Sequence, residues 1–594
     1  MNNITQITLN RLDKNKAEEQ YCIEKSVDNK NIIKVEKNKK IIYLGSKYNV
    51  KKDIDKFLKE MGDYNKESIF ICFGLGAGEH IKELLKMTEN NIIVVIEQDD
   101  KVINTLLKNK INLEVLESDR VILSNFSGND IKALFQLLIP KEEVNNTNFA
   151  FYANYKRVYE NEALDTLKVY TTFLRNALIE VNTLMVHSQH FYKSFMGNLK
   201  YILDSSAVNK LKSNYNKDMP VVVVSAGPSL EKNIRFLKDY QDKCIIITGG
   251  RTLKTLLDLD IKPDYVCVVD PDVPAYDVMR GTFDCTSPLL FCEYTYHEIL
   301  RDYKGEKIFF NDIGMLGLQK EFLNYDVDNI FEGGSVAHVC AGLGVYIGGD
   351  PIIFIGQDLA YTNDKAHADS AGDTNVEGDK KIVYVEDING DIIKSDSVLN
   401  FYRIKLEEMT QLFKENNFIN STEGGANIKG TKIIPLKEAL KRFCLDKKKD
   451  YISSEKIGEY VSGEQVICKL MDAKKIMNKV KKEIEASIDL CSEFLEKENK
   501  WNKTIIDNIN RKLSKTDKLI NSSIGEMEFM RNLILPNIYE SSMNKEYKQK
   551  YNETEKEKIK RVYKKNILLY NGIKSSIMEA GPEIEKCIKS LKES

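Results

Sequence analysis

The chain has little histidine, six residues in 594, and none of its eleven cysteines sits at the C-x-x-C spacing of a metal or redox motif. The sequence therefore gives no reason to expect a structural zinc site, and an odd, scattered set of cysteines reads as small buried hydrophobes in a reducing compartment. The opening MNNITQITLNRLDKNK lacks the basic-then-apolar order of a signal peptide, so a cytoplasmic protein is expected. The longest uncharged run, Gly333 to Gly349, is broken by six glycines and His338 and is too short to span a bilayer. Charge of one sign is missing too: Lys+Arg 87 against Asp+Glu 89 leaves a net charge of -2. With no basic arm and no base-stacking aromatic stripe, nucleic acid is not expected as a partner.

A chain of 594 residues with 42% hydrophobic content exceeds what one core can organise, and several domains are expected. Pattern separates four regions. Residues 1–160 contain ESIFICFGLGAGEHIKELLK, a strand, glycine turn and helix, followed by a second strand in NIIVVIEQDD. Residues 161–205 form an apolar-periodic helical linker. Residues 206–440 repeat the α/β pattern in VVVVSAG, CIIITGG, YVCVVDP, KIFFND and PIIFIGQD, each run ending where a parallel sheet presents its ligand-facing loops. Residues 441–594, rich in Lys, Glu, Ile and Leu and holding the sole tryptophan, Trp501, predict an all-helical C-terminal domain.

In the first region Gly74-Leu75-Gly76-Ala77-Gly78 follows a strand, and Glu97 closes the next. That is the Rossmann-like arrangement that sets a nucleotide over a glycine turn with a carboxylate on a ribose hydroxyl. The spacing is G-x-G-x-G rather than the dinucleotide G-x-G-x-x-G. The same glycines equally serve a turn that binds nothing.

The third region opens with VVVVSAGPSL, residues 221–230, where a strand meets a Gly-Pro-Ser turn and a helix start, the parts of a phosphate site or of an ordinary capped helix. Later come TGGRTLKTLLDLDIKPDYVCVVDP (248–271), EGGSVAHVCAGLGVYIGGDPIIFIGQDLAYTNDKAHA (332–368) and FINSTEGGANIKGTKIIPLKEAL (418–440). Taken in order, these segments resemble the motility-associated factor (Maf) family, the flagellin glycosyltransferases of bacteria, and the central domain is similar to bacterial CMP-sialic acid sialyltransferases. The sialyltransferases carry an asparagine where this chain has Ala226.

The resemblance implies an α/β multidomain fold with a sialyltransferase-like catalytic domain at 206–440. It implies transfer of a nonulosonic acid, of the legionaminic, pseudaminic or sialic type, from its CMP-activated form to Ser or Thr hydroxyls of flagellin, with no cofactor or metal required. Under this reading Ser225, Gly227, Pro228 and Ser229 hold the nucleotide end of the donor together with Gly249, Gly250 and Asp270. Gly333, Gly334 and Ser335 open a second helix suited to a phosphate or sugar carboxylate, and Gln357 completes the donor site. Tyr361 would donate to the leaving phosphate. His367, in a long polar loop, is the expected base, with Asp358 and Glu423 as competitors. Thr422, Gly424 and Gly425 would touch the sugar or acceptor. His338 reads as a satisfied core histidine.

Two other classes stay open. Asp270 and Asp272 in KPDYVCVVDPDVP could hold Mg2+ against a diphosphate, as in archaeal pterin diphosphokinases that share the Gly-Pro-Ser turn. A non-catalytic flagellin chaperone would instead use its helical tail and leave that turn dispensable.

Overall fold

A computed structural model describes residues 3–12, 21–37, 40–212, 219–312, 322–323, 325–361, 368, 381–445, 449, 456–497 and 501–593. The chain divides into two compact units. One comprises Met1–Val186, Glu483–Ser514 and Ile534–Lys574; the other comprises His187–Lys482, Lys515–Leu533 and Ser575–Ser594. The helix expected at 161–205 runs from Glu160 to Leu203 and contains the boundary between the units. The C-terminal region is helical in Gly463–Glu496, Lys503–Glu526, Arg531–Met543 and Glu555–Lys592, and these helices give segments to both units. Among the described residues no helix is long and apolar enough to cross a membrane.

The first unit carries an antiparallel sheet of β1 (Cys22–Lys25), β2 (Asn31–Lys37) and β3 (Lys40–Leu44). Beside these in sequence come four parallel strands, β4 (Ile69–Phe73), β5 (Ile93–Ile96), β6 (Val121–Ser124) and β7 (Thr147–Phe151), in the order β6-β5-β4-β7. Every residue of β4, β5 and β6 is buried, as continuous apolar runs covered on both faces require. Because β5 lies on one side of β4 and β7 on the other, the crevice for a ligand falls between the ends of β4 and β7.

That crevice is already filled. Tyr155, which follows β7, lies against Gly74, where an added Cβ would stand 2.5 Å from the ring. Gly74 also has φ +105°, so a glycine is needed for both reasons. The Tyr155 hydroxyl accepts from the Gly76 N–H at 2.8 Å and donates to Glu97 at 2.5 Å. Glu97 further accepts from the N–H groups of Leu75 at 2.9 Å and Asp99 at 3.0 Å. The carboxylate expected to meet a ribose hydroxyl thus meets the protein's own phenol.

The second unit is built on one parallel sheet whose strands are β8 (Ser206–Ala207), β9 (Val221–Val224), β10 (Ile245–Gly249), β11 (Tyr265–Val268), β12 (Leu289–Phe291), β13 (Lys307–Phe309), β14 (Ile352–Ile355), β17 (Phe418–Asn420) and β18 (Lys432–Ile433). A separate hairpin pairs β15 (Ile382–Glu386) with β16 (Ile392–Asp396). The sheet order is β18-β17-β14-β9-β10-β11-β12-β13-β8. From β9 the chain winds outward through β10 to β13, then returns to place β14 on β9's other edge. The switch point therefore lies between the carboxyl ends of β9 and β14, which is where such sheets bind ligands.

Burial drives the Glu97 pKa up from 4.5 to about 7, against the pull of Tyr155 and the two N–H donors. Between these values the folded chain holds a proton that the unfolded chain has released, so this group's contribution is complete below pH 4.5 and is lost as pH rises through 7. A shift of this size corresponds to about 3 kcal/mol. Urea unfolding of the protein and of Glu97→Gln across pH 4.5 to 7.5 is expected to show the downward slope in the parent only; identical slopes would remove Glu97 as its source.

Candidate functional site

A cavity of about 420 Å³, within the range of small-molecule sites, lies at the switch point and is lined by segments after β9, β14, β10 and β11 and by a helix start. The loop after β9 contributes Ser225, Ala226 and Gly227, and the loop after β14 contributes Gly356, Gln357, Asp358 and Leu359. Gly249, Gly250 and Arg251 enter from the end of β10, Asp270 and Asp272 from the end of β11, and Ser335 and Val336 from a helix start. Of the residues expected to bind donor, Ser225, Gly227, Gly249, Gly250, Asp270, Ser335 and Gln357 are brought together here, with Asp358. Arg251 and Tyr402 also line the cavity and were not expected from motif reading.

The Gly-Pro-Ser turn differs from the expected phosphate cradle. Asp358, 1% exposed, accepts from the Ser229 hydroxyl at 2.6 Å and from the Ser229 N–H at 3.1 Å. The Leu230 N–H donates to the Gly227 carbonyl at 3.0 Å. The helix that follows is only Leu230–Asn233 before the chain tightens into a 3-10 segment at Ile234–Tyr240. An anion does sit at this helix start, and it is the Asp358 carboxylate. Ser229 is fully buried, and neither it nor Pro228 lines the cavity. Gly227 donates to the Gly356 carbonyl at 2.7 Å, and a Cβ there would collide with that carbonyl and with Asp358.

The remaining floor is similarly tied. Ser225 donates to Gln357 Oε1, and the Gln357 N–H donates to Thr422 Oγ1 at 3.2 Å. Gly425 packs on the Asp358 backbone, where Ala426 donates to the Asp358 carbonyl at 2.6 Å. The Glu423 carbonyl accepts from Lys232 Nζ at 2.7 Å. Thr422, Glu423, Gly424 and Gly425 thus underlie the β14 loop and do not line the cavity. Tyr361 also stands away from it, donating at 2.8 Å to Asp396, with its pKa pushed up to about 12 by burial and that carboxylate. His367, the expected base, lies outside the described residues.

Besides the short helix behind Asp272, two longer helices start at the cavity without a side-chain cap. The helix Gly250–Asp258 begins at Gly249, and Val336–Tyr346 begins at Ser335. Such ends carry partial positive charge and outward N–H groups, which suit an anion. Arg251 adds the one basic side chain among the described lining residues. Burial lowers its pKa and Asp270 opposes that. Solvent reaches Asp270, yet the surrounding walls raise its pKa, Asp272 adds to the rise, and Arg251 and His187 oppose it.

His338 is fully buried between two partners, Ser335 Oγ at 2.7 Å from Nδ1 and the Tyr402 carbonyl at 2.9 Å from Nε2. A carbonyl can only accept, so the proton is on Nε2, and the Ser335 hydroxyl donates to Nδ1. Burial lowers the His338 pKa to about 4, which keeps this neutral arrangement at pH 7. Ser335 consequently offers the cavity an acceptor, not the donor that a phosphate would need. Gly333, packed against the His338 ring, and Gly334 do not line the cavity.

A family model described as "6-hydroxymethylpterin diphosphokinase MptE-like" matches residues 193–364. No curated protein matches the sequence. Among solved structures the chain is similar to the Maf glycosyltransferase from Magnetospirillum magneticum AMB-1, at 14% identity and a TM-score of 0.57 over 99% of this chain and 97% of that one. The resemblance to the Maf glycosyltransferases therefore holds in fold along nearly the whole chain.

Asp358→Asn removes a charged acceptor from two Ser229 donors inside the protein. The expected loss is about 1.5–3 kcal/mol in urea unfolding, with Ser229→Ala losing less because the N–H bond survives. An Asp358→Asn protein as stable as the parent would show that this carboxylate does not hold the turn.

Proposed function

We propose that the protein is a glycosyltransferase that moves a nonulosonic acid from a CMP-activated donor to Ser or Thr hydroxyls of flagellin. The observation that carries this is the convergence of two uncapped helix starts and Arg251 on one cavity at the sheet's switch point. The fold likeness to a Maf glycosyltransferase supports the class of reaction. In this reading the donor phosphate lies at the starts of Gly250–Asp258 and Val336–Tyr346, where charge on the departing CMP is stabilised by N–H groups fixed before the reaction. The Ser335 oxygen takes a hydrogen bond from a ligand hydroxyl or amine. Asp270 faces the cavity with a raised pKa, which suits the carboxylate that receives the acceptor's proton. The bond from the acceptor oxygen to the anomeric carbon forms as the bond to the CMP oxygen breaks.

A second reading, diphosphoryl transfer to a pterin, is favoured by the match at residues 193–364 and by the Asp270 and Asp272 carboxylates at the cavity. It predicts AMP release from ATP in the presence of Mg2+ and 6-hydroxymethylpterin, and no change in flagellin.

The test is the intact mass of flagellin co-expressed with the protein in cells that make a CMP-nonulosonic acid. Added mass in nonulosonate steps is expected, and Arg251→Ala should weaken CMP binding roughly ten- to hundredfold by calorimetry through loss of a charged hydrogen bond. Unmodified flagellin with donor present and a folded, soluble protein would overturn the proposal, and AMP release would favour the second reading.

A further inference from the structure

We propose that His187, His190 and Asp272 form a binding site for a transition-metal dication such as Zn2+ at the rim of the cavity. The two histidines stand three residues apart on the helix Glu160–Leu203, and this spacing sets them on one face. Asp272 reaches them from the loop after β11 and also lines the cavity. One ligand atom from each of the three lies within 4.8 Å of the others. His187 Nδ1 is 3.1 Å from Asp272 Oδ2, and His190 Nδ1 is 2.5 Å from Asp272 Oδ1. Atoms bound to one tetrahedral zinc at its usual bond lengths stand roughly 3.3 Å apart, so a small rotation of the side chains suffices.

Two further features separate this set from an ordinary hydrogen-bonded cluster. His187 Nδ1 is sealed from solvent and makes no hydrogen bond, although Asp272 is close, because the contact is out of line. Asp272 is the N-cap of the helix Val273–Val278, yet its carboxylate makes no cap hydrogen bond and turns to the histidines instead. An aspartate at this position ordinarily satisfies an exposed N–H of the first turn. The framework behind the three is fixed. Asn198 Nδ2 donates to the carbonyls of Glu293 at 2.8 Å and Thr295 at 2.6 Å, and Phe191 packs on Tyr294 with centroids 5.0 Å apart.

Two imidazoles with one carboxylate select a borderline transition metal over Mg2+, which prefers oxygen ligands in an octahedron. Three protein ligands leave a coordination position for water or an anionic group. Both histidines precede residue 193, where the diphosphokinase-like match begins, so that match does not supply the site. The site rests on this geometry alone and stands whether or not the cavity takes a CMP-sugar.

The experiment is a Co2+ titration of the chelator-treated full-length protein, followed by absorbance. One equivalent is expected to bind with visible ligand-field bands and no thiolate-to-cobalt charge-transfer band, which distinguishes this site from the eleven cysteines. His190→Ala, at an exposed side chain, and His187→Ala should each weaken binding about tenfold or more, since even outer-shell changes at metal sites cost that much. Near-ultraviolet circular dichroism checks that both variants are folded. Absent uptake, a thiolate spectrum, or affinity unchanged in both folded variants would overturn the site and leave Asp272 as a polar contact between two histidines.

Discussion

The carboxylate of Asp358 is the contact on which the cavity depends. It joins the loop after β14 to the Gly-Pro-Ser turn after β9, the two strands that border the switch point. Removing it leaves two donors of a fully buried serine without their acceptor. Everything that lines the cavity from these two strands, from Ser225 to Leu359, is positioned relative to that bond. Its backbone is engaged as well, by Ala426, so the glycine-rich segment after β17 serves as the base under the β14 loop.

The two parallel sheets solve the same problem with different groups. In each, the strand from which the chain winds outward, β4 or β9, is followed by a glycine-containing turn, and the strand that returns to its other edge sends a side chain into that turn: Tyr155 after β7, Asp358 after β14. In the first unit the phenol and Glu97 complete each other. In the second, only one helix start is satisfied this way, and those at Gly249 and Ser335 remain without side-chain caps. The distinction between a binding site and a packed turn is therefore made by the returning strand and not by the turn.

This explains what was and was not legible in the sequence. The apolar runs at 69–73, 93–96, 221–224, 245–249 and 352–355 are strands because continuous β-branched and aromatic residues bounded by glycine and polar turns suit a parallel sheet covered on both faces. Leu289–Phe291 and Phe418–Asn420 are not legible as strands, although Lys307–Phe309, equally short, is. Gly227 and Asp358 were legible as neighbours of a site, but which of them faces a ligand depends on a hydrogen bond spanning 129 residues. Arg251 was in plain sight beside Gly249 and Gly250, and the only available signal was its place in the first turn of a helix opening at a strand end. His187 and Asp272 offer no local pattern, because their meeting is made by the packing of a long helix on the loop after β11.

The filled crevice of the first unit has a consequence for what such a turn can hold. Tyr155 acts there as a ligand that is covalently part of its receptor: it presents a ring to the glycine turn and a hydroxyl to the acidic residue, as a nucleoside would. An internal ligand is tethered at a high effective concentration and cannot diffuse away, so it occupies the turn ahead of any ligand from solution. Receptor and strut are then separated by the size of one side chain, on the same fold.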